Sequence, residues 1–125
     1  MNKKTSLLLL LAITLTVTRI AASTVVSYHA RLSEQDHFST DGKRLESVAA
    51  ILSQDRANYH RFHKRDTNDQ SDPFFTTKAH RDLFYKMKII YKNFGSHPAQ
   101  AVIKEYLDVD VKVIGLTVIV TVSAG

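Results

Sequence analysis

The chain has 125 residues, 17 Lys and Arg against 12 Asp and Glu for a formal charge of +5, six histidines and no cysteine. That length supports one hydrophobic core rather than two. The missing thiols exclude disulfide bonding, thiol nucleophiles and lipid attachment at a cysteine, so the chain has to hold together by packing alone.

Met1-Asn-Lys-Lys-Thr-Ser opens the sequence, the apolar run Leu7 to Val17 follows, and Ile20-Ala-Ala-Ser23 closes the segment. A cationic start, an apolar stretch well short of the roughly 20 residues that span a bilayer, and a small-residue exit describe a secretory signal peptide. Residues 1–23 are read as that signal, with cleavage after Ala22 or Ser23, and residues 24–125 as a single small domain. An uncleaved anchor is the alternative; the shortness of the run and Arg19 directly after it argue against it. Cleavage takes Lys3, Lys4 and Arg19 away, leaving 14 basic residues against the same 12 acidic ones. Net charge then gives no reason to expect nucleic acid. The Lys-Lys start, the lack of disulfides and the size favour a bacterial protein, periplasmic or secreted, with no stable membrane insertion after trimming.

Val26, Tyr28, Ala30 and Leu32 alternate with polar residues and predict a half-buried strand over Val26 to Leu32. Ser33 to Gly42 reads as a loop that offers a helix cap at Ser39, Thr40 or Asp41. A first helix is predicted over Lys43 to Phe62, because Leu45, Val48, Ala49, Leu52, Tyr59 and Phe62 share one arc. Asp55 and Arg56 fall inside that apolar arc. The polar stretch His63 to Thr76 interrupts the pattern, and Asp72-Pro73 could open a helical turn. A second long helix is predicted over Lys78 to Asn93, with only Ile89 out of place and Gly95 as its stop. A short third helix follows from Pro98 to Leu107, capped by Ser96. Val109 to Val122 alternates throughout, and its inward parity switches across Ile114-Gly115, which predicts a hairpin or one long bulged strand. The expected class is α+β: a small antiparallel sheet, made of the N-terminal strand and the C-terminal hairpin, with two longer helices and one short helix packed on one face.

Chemistry-bearing residues are densest from Gln54 to Arg65. Asp55, Arg56, Tyr59, His60, His63 and Arg65 are the candidate ligand-binding set, since guanidinium groups hold anions and aromatic rings offer contact surfaces. Burying Asp55 and Arg56 requires partners, either a structural tie to the polar loop after Phe62 or a ligand. His60 and His63 are neighbours on a helix, and with Asp66 and Asp69 they are sufficient in kind for a zinc site. The loop from Asp66 to Asp72 resembles a calcium loop but has Ser71 where the glycine belongs and Thr77 where the glutamate belongs.

No nucleophile elbow, phosphate loop or zinc-protease helix is present, so no catalytic residue and no cofactor is assigned. The expected function is that of an exported binding or interaction protein, more a binder than an enzyme, with an unidentified protein or an anionic ligand as partner. The competing expectation is a small secreted hydrolase of phosphodiesters or other anions, using His29 with His60 or His63. Homodimerisation through the C-terminal strand is a further expectation.

Overall fold

The computed structural model describes residues 25–123. The expected signal segment and cleavage site therefore lie outside the described residues.

Strand β1 (Val25–Leu32) leads through a 3-10 turn (Glu34–His37) to helix α1 (Val48–His60). A long loop then reaches α2 (Lys78–Arg81), which continues as a 3-10 turn (Asp82–Lys86) into β2 (Lys88–Lys92). Helix α3 (Pro98–Lys104) precedes the hairpin of β3 (Leu107–Ile114) and β4 (Thr117–Val122). The class is α+β, as expected, and β1 lies beside the hairpin with Tyr28 opposite Val111. The sheet has four strands in the order β1-β3-β4-β2 and is mixed, because β2 runs parallel to β4.

That fourth strand replaces the second half of the expected Lys78 to Asn93 helix, which ends at Arg81. Its apolar spacing fits both periods. As a strand, Ile89 and Tyr91 share the inner face, and the Ile89 that was out of place on a helix finds its position. Pairing with β4 supplies the long-range ladder that decides between the two. α1 begins five residues later than expected because 39–46 are spent on a loop: Phe38 bridges to Arg44 and Gly42 takes a φ of 82°. Ser47 is the cap, its hydroxyl accepting from the Ala50 N–H. α3 stops at Lys104, before the expected Leu107, and is preceded by His97 rather than Ser96 at the cap position. Asp72 caps without a helix, its carboxylate accepting from the N–H groups of Phe74 and Phe75.

The hairpin closes on Gly115-Leu116, between the paired residues Ile114 and Thr117, and Gly115 supplies the one positive φ of the turn, 57°. This is the pattern of a two-residue II′ turn. It explains the parity switch, since Val109, Val111 and Val113 are buried before it and Val118 and Val120 after it. Each such buried valine contributes about 1.5 kcal/mol. Together with Ile51, Leu52, Phe75, Phe84 and Val102 they form one core between the sheet and the helices. His37, fully buried, ties the first 3-10 turn to α3: its ring nitrogens lie 2.7 Å from the Ser33 carbonyl oxygen and 2.8 Å from that of Val102.

β4 is paired on both sides, so the C-terminal strand has no free edge and strand-to-strand association would have to use β1 or β2. The outer edge of β1 is covered by the loop before Asp72. Gln70 donates its backbone N–H to the His29 carbonyl and accepts the His29 N–H on its side chain, while Asp69 accepts the Arg31 N–H. No helix among the described residues is long and apolar enough to cross a membrane.

Candidate functional site

The charged pair within the α1 arc lies inside the molecule. Asp55 is 1% exposed and Arg56 is fully buried. Arg56 Nε donates to Asp55 at 2.8 Å, and Nη1 donates to the Gln70 carbonyl at 2.9 Å and to Asp72 at 3.0 Å. Its guanidinium also lies over the Tyr28 ring at 3.8 Å and near the Tyr59 ring at 4.8 Å. Burial opposes the charge on Arg56, but Asp55 and the other partners outweigh it and raise its pKa. Burial likewise pushes the Asp55 carboxyl up to about 8 against the pull of Arg56. Asp72 goes the other way: burial is outweighed by hydrogen bonds from the Phe75 backbone, His60 and Arg56, which hold its pKa below the ordinary aspartate value. Arg56 thus holds both carboxylates, Asp55 through Nε and Asp72 through Nη1. The guanidinium serves as a tie from α1 to the loop, the structural alternative raised by the sequence.

The other sequence candidates separate. His60 Nε2 donates to Asp72 at 2.8 Å and belongs to the same tie. Arg65 is exposed and covers the Tyr59 ring at 4.2 Å. His63 is exposed at the end of α1 with a φ of 54°. Asp66 accepts from the Ser33 hydroxyl and Asp69 covers the β1 edge. The structure does not gather His60, His63, Asp66 and Asp69 around a point, and no metal-ligating cluster of three exists among the described residues. His29 lies on the outer face of the sheet with Asp110 at 3.0 Å, across the sheet from His60, so the two histidines do not converge.

The outward stripe of α1 forms a cleft instead. Ala50, Ser53, Gln54, Ala57 and Arg61 recur at helical spacing and form its floor. α2 and its 3-10 extension give the opposite wall through Lys78, Arg81, Asp82 and Tyr85, and Ser39 and Thr40 close one side. The hollow measures about 250 Å³. A second hollow of about 210 Å³ adjoins it, shares Ser39, Thr40, Gln54 and Phe62, and adds Gln35 and Lys64.

Charge distinguishes this cleft. Arg81 is 5% exposed, and among the described residues its side chain makes one hydrogen bond, from Nη1 to the Phe75 carbonyl at 3.1 Å. Burial lowers its pKa, and repulsion from Arg61 lowers it further. Arg61 is exposed and, among the described residues, rests only on the Phe62 ring, at 5.3 Å. The one carboxylate on the wall, Asp82, is taken by Lys78 at 2.7 Å. Two guanidinium groups thus border one hollow whose carboxylate, Asp82, is bonded to Lys78. A larger hollow, about 370 Å³, lies over the outer face of the sheet, but its carboxylate, Asp110, is already engaged by His29 and Ser123, and none of its cations is buried.

Sequence reasoning missed Arg81, Tyr85 and the Ser39-Thr40 rim. On the expected Lys78 to Asn93 helix Arg81 falls on the polar arc with Lys78, Asp82, Lys86, Lys88 and Lys92, and no local pattern marks it as buried. Comparisons of the chain with protein-family models, with curated proteins and with solved structures gave no match.

Proposed function

We propose that this chain is an exported binding protein that takes an anionic ligand in the cleft between α1 and α2. The observation that carries the reading is the nearly buried Arg81 beside Arg61, two cations in one hollow with no paired carboxylate. A guanidinium held on the wall of a hollow with no ion-paired carboxylate of its own is free to take a carboxylate or phosphate ligand through charge-assisted hydrogen bonds. Within the region expected from the sequence, the contact surface shifts from Arg56 outward to Arg61, Phe62 and Lys64. The cleft has no histidine on its walls, which favours binding over hydrolysis, a reaction that needs two titratable groups within reach of one bond.

NMR titration with inorganic phosphate and with galacturonate tests the site. Chemical-shift changes confined to Ser39, Thr40, Arg61 and Arg81, lost in Arg61→Gln, are expected. Spectra unchanged at tens of millimolar would reject it. The export part rests on the sequence of residues 1–23, and mass spectrometry of the protein recovered from an expressing bacterium tests it. A periplasmic or secreted chain beginning at Ser23 or Thr24 is expected, and an unprocessed cytoplasmic chain overturns it.

A further inference from the structure

We infer that the ligand is a linear acidic oligosaccharide, a uronate-bearing chain laid along the outer face of α1. This deepens the anion reading above and rests on it.

The two hollows form one elongated cleft, because Ser39, Thr40, Gln54 and Phe62 line both. The floor stripe from Ala50 to Arg61 covers about 16 Å at a rise of ~1.5 Å per residue, more than a single small anion occupies. Arg61, Lys78 and Arg81 border one hollow with Asp82, Lys64 borders the other, and the residues common to both are uncharged. A matching ligand carries separated negative charges with neutral polar groups between them.

The shared stretch also offers hydrogen bonds of both kinds. Gln54 spends its amide on Asn58, at 2.9 Å, which leaves its carbonyl oxygen to accept. The Ser39 hydroxyl oxygen accepts from the Lys43 N–H at 3.0 Å, which leaves its proton to donate. Sugar hydroxyls donate and accept, so they satisfy both. Nucleobases would need open ring faces. Phe62 and Phe38 are half-buried, and each already carries a guanidinium over its ring, from Arg61 at 5.3 Å and Arg44 at 5.4 Å. Tyr85, 59% exposed on the wall of the first hollow, offers a single open ring, whereas a strand of bases needs one for each base in turn.

Titration calorimetry with galacturonate, its trimer and its hexamer, alongside maltohexaose, hexauridylate and hexaglutamate, tests the inference. The uronate hexamer is expected to bind at least about tenfold tighter than the monosaccharide, and maltohexaose far more weakly than the hexamer. Arg61→Gln weakens every uronate by about tenfold, the effect of one charge-assisted hydrogen bond. Gln54→Ala removes most of the gain with length. Neither side chain is buried, and unchanged melting temperatures confirm that both variants fold. Galacturonate binding that responds to Arg61→Gln but gains nothing with length overturns the chain reading and leaves the anion reading standing. Tighter binding of hexauridylate or hexaglutamate than of the uronate hexamer overturns the sugar assignment. Failure of every uronate and of phosphate overturns both.

Discussion

Among the described residues Arg56 and Arg81 are both 5% exposed or less, and their surroundings are opposite. Arg56 is enclosed by Asp55, Asp72, a backbone carbonyl and two aromatic rings. Arg81 has one carbonyl, a repelling Arg61 and only the more distant pull of Asp82, which is bonded to Lys78. Burial alone therefore says little about role. A buried cation whose anions are supplied by the fold is a structural tie, and one whose anion is missing is a place for something else.

The sharpest way to break this contrast is Arg56→Met, which leaves Asp72 and Asp55 without their cation. Removing one member of a buried pair costs about 3–5 kcal/mol, and for a domain of this size that lowers the melting temperature by well over 10 °C. A near-native melting temperature would sink the structural account of Arg56.

The carboxylates around the tie make stability depend on pH with two signs. Burial raises the Asp36 pKa from 3.8 to about 6, against hydrogen bonds from Asn58 and Ser33. Its contribution is present in full below about pH 4 and is lost as the pH rises through 6, a change of up to about 3 kcal/mol. Asp72, with its lowered pKa, stabilises above its unfolded value and loses that contribution as acid takes the pH below it. Urea melts between pH 3 and 9 should show a decline that Asp36 shares with Asp55, whose raised pKa carries it on to about pH 8, and Asp36→Asn should make it shallower without abolishing it. No decline in the native chain would mean that Asp36 is hydrated.

Tyr28→Phe has a smaller effect. The Tyr28 hydroxyl is buried with no hydrogen-bond partner, so deleting it should change stability by less than about 1 kcal/mol and in either direction. A loss of 2 kcal/mol or more would reveal a partner, such as an internal water shared with the equally unpaired atoms of Asp55 and Arg56. Smallest of all is the thermal effect of Arg61→Gln, within about 0.5 kcal/mol for a surface residue. Its consequence should appear in ligand binding instead. A large loss of stability would move Arg61 into the same category as Arg56.

Much of this was legible in the sequence where structure is local. The alternation of β1, the parity switch at Gly115 and the intrusion of Asp55 and Arg56 into the α1 arc each follow from short-range periodicity, and the coordinates agree with all three. Lys88 to Lys92 was not legible, because its apolar residues satisfy a helix and a strand alike, and the ladder that selects the strand comes from β4, some thirty positions later. The cleft was hidden for a similar reason. Arg61 and Arg81 meet only once the chain has folded back across the loop between them, and nothing near Arg81 announces that it will be covered.

The contacts of Asp69 and Gln70 with β1 have a consequence for self-association. A sheet that elongates by adding molecules must be open on both flanks, one to join and one to be joined. Here one flank is occupied from His29 to Arg31 by the chain's own side chains and backbone, leaving among the described residues of β1 only Val25 and Ser27, too short a stretch to template a neighbour. Growth through the flank that remains, β2, ends after a single partner. The loop that anchors the internal arginine thus also acts as a chain terminator against fibrous assembly.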